Sequence, residues 1–310
     1  MAKHAIVVDG NSLGYAAQNS RPLKTGDGQP VQAIFGMLRT IKNIRENNPR
    51  SKIIILWDSP KDWRSIEFPD YKANRESTDE LKQMRKEFKV QRPQIIRALF
   101  YLGIDQLKAT GFEADDLAWV LGERLIKKGF KIDFLTADQD WLQLVTEDSQ
   151  WVDPINNRTV TIDTFEEFTG CRDWQDFIEV KALKGDKSDN IGGIPGIGEK
   201  TALAIVTDEG GVAELCRKYD ENGEFQKGCF ANATLNRARN KINAMCGDKS
   251  LIDAFNLNYR LMDLRDGPKP SKGDMNITKG HRDAAKFREF CEDRQFKTIL
   301  KEISMWDSLF

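Results

Sequence analysis

The chain has 310 residues, with 47 Lys or Arg against 48 Asp or Glu, and its formal net charge at pH 7 is −1. This length fits one large domain or two modest ones. The charge balance argues against a uniformly basic surface but permits an acidic pocket ringed by basic side chains. The five cysteines form no Cys-x-x-Cys pair, which argues against a disulfide framework or a zinc site. We find no apolar run of about 18 residues and no signal-peptide pattern, so we expect an intracellular protein in a reducing compartment.

Three short apolar runs in the first half of the chain are each followed by acidic residues. The runs are Ala5–Val8, Ile53–Trp57 and Ile132–Thr136, and the acids that follow them are Asp9, Asp58, Asp138 and Asp140. A helical pattern through Ile34, Leu38, Ile41 and Ile44 separates the first two runs. This alternation predicts an α/β fold with a mostly parallel sheet flanked by helices, in which ligand sites lie outside the carboxyl ends of the strands. Asp is a common turn residue after a strand, but its recurrence after three strands predicts a shared acidic site.

Three carboxylates in four residues, Glu113, Asp115 and Asp116, stand where an apolar helical pattern begins. Acidic side chains in the first turn of a helix often serve only to cap it, by accepting its free N–H groups. The alternative is that crowded carboxylates, which raise one another's pKa, are held together to be neutralised by a divalent cation. Because this helix start falls near the edge where the strand-terminal acids lie, the sequence favours a metal site.

The segment 61–97 is strongly charged. From Lys72 to Arg97 it carries eight basic residues against four acidic ones, and Tyr71 precedes it. A solvated helix with ion pairs between turns explains this composition, since Ser77-Thr78-Asp79-Glu80 is typical of a helix start. The alternative is a basic clamp that grips phosphates while an aromatic ring stacks on a base. Composition alone favours the solvated helix, whereas a position over the acidic pocket would favour the clamp.

A second unit begins near Trp151. It contains a helical pattern from Trp174 to Lys184, a turn with Asp186 and Asp189, and the segment Gly192–Thr201. The glycines of this segment would let a tight hairpin approach another molecule, and the N–H groups after Gly198 can hold a phosphate oxygen. Such a contact ignores base identity. A glycine-rich turn between two helices is the plainer explanation. The sequence Gly-Ile-Pro-Gly-Ile-Gly-Glu-Lys, however, is a more specific arrangement than such a turn requires.

These motifs, in this order, resemble the phage and bacterial branch of the structure-specific 5′-nuclease family, which includes flap endonucleases and 5′-3′ exonucleases. The match runs from Asp9 to about Val206 through Val8 to Ser12, Trp57-Asp58, Tyr71 to Arg75, Gly111 to Asp116, Thr136 to Asp140 and Gly185 to Thr201. The sequence is also similar to the nuclease part of bacterial DNA polymerase I. The resemblance implies a PIN-like α/β nuclease core over 1–160 with a helical arch at about 72–97. It further implies a helical region over 161–310 with a helix-hairpin-helix element at about 176–206.

The resemblance also implies roles for the matched residues. A first metal cluster would comprise Asp9, Asp58, Glu113 and Asp115, with Asp116 in support. A second would comprise Asp138, Asp140, Asp186 and Asp189. Lys72 and Arg75 are expected to hold the scissile phosphodiester, with Tyr71 stacking nearby. Contacts to the duplex backbone are expected from Gly193, Gly196, Gly198, Lys200 and Thr201.

The implied activity is magnesium-dependent 5′-3′ exonuclease and flap endonuclease cleavage of DNA, and of RNA primers on DNA. The residues agree with a two-metal hydrolysis, because only two histidines occur, whereas the many carboxylates suit two Mg²⁺ ions, with Mn²⁺ as a substitute. K⁺ bound through carbonyls of the hairpin is also implied. We expect a monomer in the cytoplasm of a bacterial or phage-infected cell, with no membrane partner. Its expected partners are duplex DNA with a 5′ end or 5′ flap, RNA/DNA hybrids and replication proteins.

Two other functions remain open at this point. A ribonuclease toxin of the PIN type would share the acidic fold, but it has no evident need for the duplex-holding segment Gly192–Thr201. A non-catalytic binder of DNA junctions would require the loss of metal ligands, and none of the expected acids is missing.

Overall fold

The computed structural model describes residues 3–76 and 78–310, and a seven-stranded sheet lies at its centre. The strands are β1 (Lys3–Asp9), β2 (Lys52–Trp57), β3 (Asp105–Ala109), β4 (Phe130–Leu135), β5 (Ser149–Asp153), β6 (Arg158–Val160), β7 (Gly185–Asp186), β8 (Ile191–Gly192) and β9 (Met275–Thr278). The order across the sheet is β6-β5-β4-β1-β2-β3-β9, while β7 and β8 form a separate hairpin. The five inner strands β5, β4, β1, β2 and β3 run parallel, and the two outer strands are antiparallel to their neighbours.

Helices cover both faces of the sheet. They are α1 (Gly10–Gln18), α2 (Gln32–Asn47), α3 (Trp63–Glu67), α4 (Asp79–Tyr101), α5 (Ala114–Ile126), α6 (Phe165–Thr169), α7 (Trp174–Lys184), α8 (Glu199–Glu209), α9 (Val212–Asn222), α10 (Ala233–Gly247), α11 (Lys249–Met262), α12 (Ala284–Asp293), α13 (Lys297–Lys301) and α14 (Ile303–Leu309). Short 3-10 helices span Ala73–Glu76, Gln139–Leu144 and Ile162–Thr164. Across the described ranges, we find no helix with the length and apolar character needed to cross a membrane.

Alternation along the strands divides the core into two layers. On one face Ala5 and Val7 of β1 join a cluster with α5 and the helices of the second half of the chain. On the other face Ile6 and Val8 join a cluster formed with α2, α4 and α12 to α14. Successive side chains of a strand point to opposite faces, so a strand with apolar residues at every position must be buried on both. This explains the continuous apolar runs, and it confirms the predicted mostly parallel sheet flanked by helices.

The three predicted strands correspond to β1, β2 and β4, but β3 was not predicted. Its sequence, Asp-Gln-Leu-Lys-Ala, contains no continuous apolar run. Gln106 is nevertheless buried, because its side-chain oxygen accepts a hydrogen bond of 3.0 Å from Nε1 of Trp57 on β2. A satisfied amide can occupy a core position, and no apolar pattern then marks the strand.

The C-terminal residues return to the sheet. Strand β9 pairs antiparallel with β3, and the following helices place Phe287, Phe290 and Trp306 in the same apolar layer as Ile6. The region 161–310, which was predicted to be helical, therefore contributes one strand, Met275–Thr278, to the sheet.

Helix α4 forms the body of the predicted arch. It begins at Asp79, where the Thr78 hydroxyl accepts a hydrogen bond of 3.2 Å from the N–H of Leu81. Ser77, which the predicted helix start included, lies outside the described residues. Most of the first two turns is exposed, whereas from Phe88 onward the helix has a buried side. The side-chain oxygen of the buried Gln91 accepts a hydrogen bond of 2.9 Å from the N–H of Ala33, which ties α4 to the start of α2.

Candidate active site

The strand order brings the predicted strand-terminal acids to one edge of the sheet. Strand β1 lies between β4 and β2, so Asp9 sits at the point where the strand order reverses, which is the usual ligand site of such sheets. One Asp9 oxygen accepts hydrogen bonds from the N–H groups of Asn11 (3.0 Å) and Ser12 (2.9 Å) at the start of α1. The other accepts one of 3.1 Å from the Thr136 hydroxyl at the end of β4. Both oxygens are thus fixed at the sheet edge.

The start of α5 meets the same edge. One Asp58 oxygen accepts a hydrogen bond of 2.8 Å from the N–H of Ala114, in the first turn of α5. Glu113 is the N-cap residue, and an oxygen of Asp115 accepts a hydrogen bond of 2.6 Å from Nε1 of Trp141. A cavity of about 360 Å³ opens here, and we call it the acidic cavity; five carboxylates line it, those of Asp9, Asp58, Glu113, Asp115 and Asp138.

Burial and mutual repulsion disfavour the charges in this cavity. Burial, with the neighbouring Asp58 carboxylate, raises the pKa of Asp9 to about 7. Burial, with Glu113 nearby, also raises the pKa of Asp58, and burial with Asp138 and Glu113 raises that of Asp115. A cation bound among these oxygens would relieve both penalties.

Lys72 and Arg75 lie in the wall of the acidic cavity. The Lys72 ammonium forms an ion pair with Glu113, and it lies 3.8 Å from an oxygen of Asp189. Arg75 donates to the other Asp189 oxygen at 2.8 Å. Burial alone would raise the pKa of Glu113, but the positive charges of Lys72 and Arg64 hold that pKa below its usual value.

Tyr71 does not have the geometry expected of a stacking residue. Only 7% of its surface is exposed, and its hydroxyl is within hydrogen-bonding distance of Glu113 (2.9 Å) and Asp189 (3.0 Å). Its hydroxyl therefore links Glu113 to Asp189. The aromatic side chain in the wall of the acidic cavity is that of Tyr15, on α1. No sequence signal separated Tyr15 from an ordinary core aromatic.

Asp116, which was expected to support the first cluster, is not part of the lining of the acidic cavity. Its two oxygens accept hydrogen bonds of 3.1 and 3.0 Å from the buried Arg64 guanidinium. One of them also accepts a hydrogen bond of 3.0 Å from the N–H of Glu113, which completes a capping box. The capping interpretation therefore describes Asp116 and, in part, Glu113. Glu113 and Asp115 line the cavity. Arg64 donates further to the carbonyl of Leu261 at 2.7 Å and so ties this helix start to α11.

A second cavity of about 810 Å³ adjoins the first, and its lining includes Asp138, Asp140 and Asp186. Asp138 lies in the wall of both cavities. The Lys181 ammonium on α7 pairs with Asp140 and lies 2.9 Å from an oxygen of Asp186. Asp189, which was predicted to join this group, instead pairs with Arg75 as described above.

Lys181 was missed by the sequence reasoning. In the sequence, Lys181 is marked only by its position among the apolar residues of α7. In the structure its side chain is buried, with 8% of the residue exposed. A buried lysine needs a partner, and here it has two carboxylates.

The hairpin between α7 and α8 borders the second cavity. Helix α7 has the predicted bounds, and Gly198 caps α8 next to that cavity. A Cβ atom at Gly193 would lie 2.2 Å from the carbonyl oxygen of Lys184, so the close approach of the hairpin to the end of α7 requires glycine there. Gly196 has φ of +81°, and Lys200 is exposed with Thr201 half-buried beside it. A Cβ atom at Gly198, the residue before α8, would meet nothing within 4 Å, so the start of α8 is open to a ligand.

The donor set fits a hard divalent cation. Carboxylate oxygens without sulfur or imidazole ligands suit Mg²⁺ or Mn²⁺ rather than Zn²⁺. In residues 3–76 and 78–310, no three metal-binding side chains already converge closely enough on one point to hold an ion. In place of a metal ion, lysines neutralise some of these carboxylates. Lys72 pairs with Glu113, and Lys181 pairs with Asp140 and Asp186.

An acidic cavity beside basic side chains, at the carboxyl edge of a parallel sheet, is the type of site found in nucleases that act with metal ions. Comparison with known sequences gives the family. Residues 4–170 match the model of the 5′-3′ exonuclease N-terminal resolvase-like domain, and residues 173–265 match the 5′-3′ exonuclease C-terminal SAM fold. The chain therefore belongs to the 5′-3′ exonuclease family of nucleic-acid hydrolases.

Curated relatives agree with this family. The 5′-3′ exonuclease of Aquifex aeolicus is 28% identical over 303 residues, which cover 97% of this chain and 95% of that protein. The 5′-3′ exonuclease of Buchnera aphidicola is 34% identical over 247 residues, 79% of this chain and 84% of that protein. Thermostable DNA polymerase I of Thermus filiformis is 32% identical over 219 residues, 70% of this chain but 25% of the polymerase.

Solved structures share the fold. T5 5′-exonuclease with bound zinc superimposes with a TM-score of 0.68 at 22% identity, covering 84% of this chain and 90% of that chain. The catalytic core of Rad2 in complex with a DNA substrate gives a TM-score of 0.61 at 17% identity, covering 99% and 91%. These likenesses support a fold with an α/β core and a second, helical domain.

Proposed function

We propose that this protein is a magnesium-dependent 5′-3′ exonuclease and flap endonuclease that hydrolyses phosphodiesters of DNA, and of RNA primers on DNA. The observation that carries the proposal is the acidic cavity, in which five carboxylates lie beside Lys72 and Arg75. The protein would serve replication, recombination or repair of DNA, as a monomer in the cytoplasm of a bacterial or phage-infected cell. Its partners would be duplex DNA with a 5′ end or 5′ flap, RNA/DNA hybrids and replication proteins.

We assign the metal ligands as two groups. Asp9, Asp58, Glu113 and Asp115 would hold one Mg²⁺ or Mn²⁺, and Asp138, Asp140 and Asp186 would hold the other. When bound, the ions would activate a water molecule for attack on phosphorus and stabilise the leaving oxygen. Asp116, with both oxygens held by Arg64, would orient the helix start that carries Glu113 and Asp115. Asp189 would position Arg75.

Lys72 and Arg75 would bind the scissile phosphodiester. Each now pairs with a carboxylate of the site, so a phosphate entering the cavity would take over a cation that is already in place. Charge-assisted donors aimed at the reacting phosphate are worth more in the transition state than in the ground state, because negative charge builds up on the leaving oxygen. Both residues would therefore act on the rate of cleavage as well as on affinity.

The hairpin would hold the duplex at a distance from the cut. The open N–H groups following Gly198 suit a phosphate oxygen, with Gly193 and Gly196 allowing close approach and Lys200 and Thr201 adding polar contacts. Carbonyl groups of the same hairpin would coordinate K⁺. Because these contacts involve only backbone phosphates, they would favour duplex structure without preference for base sequence.

The test is a 5′-flap duplex labelled at either end, incubated with the protein and Mg²⁺, and then with excess chelator. We expect metal-dependent cuts near the flap junction, stepwise release from the 5′ end, or both. Asp140→Asn should abolish cleavage while leaving the fold and DNA binding nearly unchanged. Tight binding without any cut in Mg²⁺ or Mn²⁺ would indicate a junction binder, and preference for a matched single-stranded RNA would indicate a ribonuclease.

A further inference from the structure

Two cysteines of the helical region lie in contact. Cys216 is on α9 and Cys246 is on α10, and their sulfur atoms are 3.8 Å apart although the residues are 30 positions apart in the chain. Both thiols are free and partly exposed. The fold thus presents a preassembled pair of thiols, reachable from solvent, on two packed helices.

The contact alters the acidity of the pair. The hydrogen-bonded contact between the two sulfur atoms lowers the pKa of Cys216 and raises the pKa of Cys246. The thiolate is the nucleophile in thiol–disulfide exchange, so Cys216 is the residue that attacks first. Cys246, already at van der Waals distance, is then placed to resolve the product.

The other three cysteines differ from this pair. Cys229 is exposed, while Cys171 and Cys291 are buried. Burial raises the pKa of Cys171 to about 11 and that of Cys291 to about 12, which keeps them protonated and slow to react. The chain therefore contains internal controls for the reactivity of the pair: Cys229 for an exposed thiol, and Cys171 and Cys291 for buried thiols.

We propose that Cys216 and Cys246 form an oxidisable thiol pair that a small-molecule disulfide, such as glutathione disulfide, converts into an intramolecular disulfide. The Cys216 thiolate attacks one sulfur of the oxidant, which releases one thiolate and leaves a mixed disulfide on Cys216. Cys246 loses its proton to water and attacks the Cys216 sulfur, forming the internal bond and releasing the second thiolate. Two protein thiols are oxidised and one glutathione disulfide is reduced to two glutathione molecules. An excess of reduced glutathione reverses both steps.

The crosslink would act on the segment that borders the hairpin. Helix α10 also carries Lys241, whose side chain packs against Gly196 of the hairpin. A bond from Cys246 to Cys216 would therefore tie α9 to the helix that supports the hairpin. This inference rests on the two helices alone and does not depend on the proposed function.

The experiment treats the full chain with glutathione disulfide, blocks the remaining thiols by alkylation and maps the peptides by mass spectrometry. We expect a peptide pair joined through Cys216 and Cys246, a glutathione adduct on Cys229, and alkylation of Cys171 and Cys291 only after unfolding. The crosslink should raise Tm by about 3–10 °C, because it restricts the unfolded chain, and dithiothreitol should reverse the rise.

Matched variants make the outcome decisive. Cys216→Ser should abolish both the joined peptides and the rise in Tm, whereas Cys229→Ser should leave both intact. Separate glutathione adducts on Cys216 and Cys246, or two unreacted thiols at a time when Cys229 is fully modified, would overturn the proposal.

Discussion

Asp9 shows how a single residue of the site affects stability. The residue is 6% exposed, and other carboxylates line the same acidic cavity. Its pKa of about 7 in the folded protein exceeds the ordinary value near 4 of an unfolded chain. The folded state therefore binds a proton that the unfolded state has released, and the stability of the metal-free protein falls as pH rises from about 4 through 7.

We predict that Asp9→Asn raises the Tm of the metal-free protein by about 3–6 °C at pH 8. The amide removes the buried charge but keeps an oxygen for the N–H groups of Asn11 and Ser12, and its NH₂ can donate to Thr136. Thermal unfolding in the presence of chelator would measure the effect. At pH 5 the gain should be smaller, because the Asp9 carboxyl is then largely protonated. A lower Tm for the variant at pH 8 would contradict the assignment of a repulsive cluster.

Lys72 offers a second test at the same scale. We predict that Lys72→Ala slows single-turnover cleavage of a 5′-flap duplex by about 100- to 1000-fold, because a cation next to the reacting phosphate is lost. Lys301→Ala, on an exposed lysine of α13, is the matched control and should cleave at the normal rate. An unchanged rate for Lys72→Ala would remove this residue from the site.

Lys181 calls for a binding measurement. We predict that Lys181→Met increases the affinity for Mn²⁺ by about tenfold, because Asp140 and Asp186 then lose the cation that neutralises them. Isothermal titration calorimetry measures the affinity without a substrate, and the carboxylate variant Asp140→Asn should shift it in the opposite direction. Equal affinity in Lys181→Met and the unaltered protein would show that the lysine does not compete with metal.

Some residues of the site could be located from the sequence and others could not. Asp9 and Asp58 follow apolar strands, so the position of each along the chain fixed its position at the sheet edge. The spacing of the acids did not distinguish Asp116 from Asp115, and only the family resemblance gave Asp116 a supporting role, because its partner Arg64 lies more than 50 positions away in sequence. Tyr71 was assigned a stacking role and Lys181 was not recognised, for the same reason. The contacts of both residues are with carboxylates that are distant in the sequence.

At the scale of elements, the hairpin between α7 and α8 allows a sharp comparison of neighbouring glycines. We predict that Gly193→Ala weakens binding of duplex DNA by about tenfold or more, because its new methyl group would clash with the Lys184 carbonyl and displace the hairpin. Gly192→Ala is the control, since a Cβ atom there meets nothing within 4 Å. Fluorescence anisotropy with a labelled duplex would compare the two. Equal weakening by both substitutions would instead point to a general loss of flexibility.

Elements with a regular apolar pattern could be predicted, and those stabilised by tertiary contacts could not. Helix α7 has the predicted bounds because its apolar residues recur at helical spacing up to a terminal glycine. The four-residue β9 is mostly exposed and has no such pattern. It is a strand because β3 offers a free edge, and this edge is created only by the complete fold.

For the molecule as a whole, the last helices stabilise the sheet on the face opposite the helical region. We predict that Trp306→Ala, which empties a site 1% exposed beside Phe287, lowers the free energy of unfolding by about 3–5 kcal/mol. Denaturant unfolding would measure this loss. Met305→Ala, at an exposed neighbouring position, should have little effect. At a temperature where both variants remain folded, their flap cleavage rates should agree within about twofold, since the acidic cavity does not include this helix.

Charge distribution also belongs to this scale. The net charge of −1 provides no overall attraction to DNA, so binding must depend on basic side chains grouped on one surface. We predict that affinity for a flap duplex in Ca²⁺ falls by about 10- to 1000-fold between 50 and 200 mM salt, as expected when several phosphates are contacted. A flat salt dependence would show that the exposed basic residues of α4 do not take part.

Asp138 stands in the wall that separates the acidic cavity from the larger cavity beside it. Because Asp138 lines both cavities, cation binding in one cavity is linked to cation binding in the other. A cation that neutralises Asp138 from one side lowers the electrostatic attraction for a cation on the other side. The apparent constants of a cation titration then belong to the pair of sites and not to either alone. Their departure from two independent isotherms measures a coupling free energy, which acts equally in both directions.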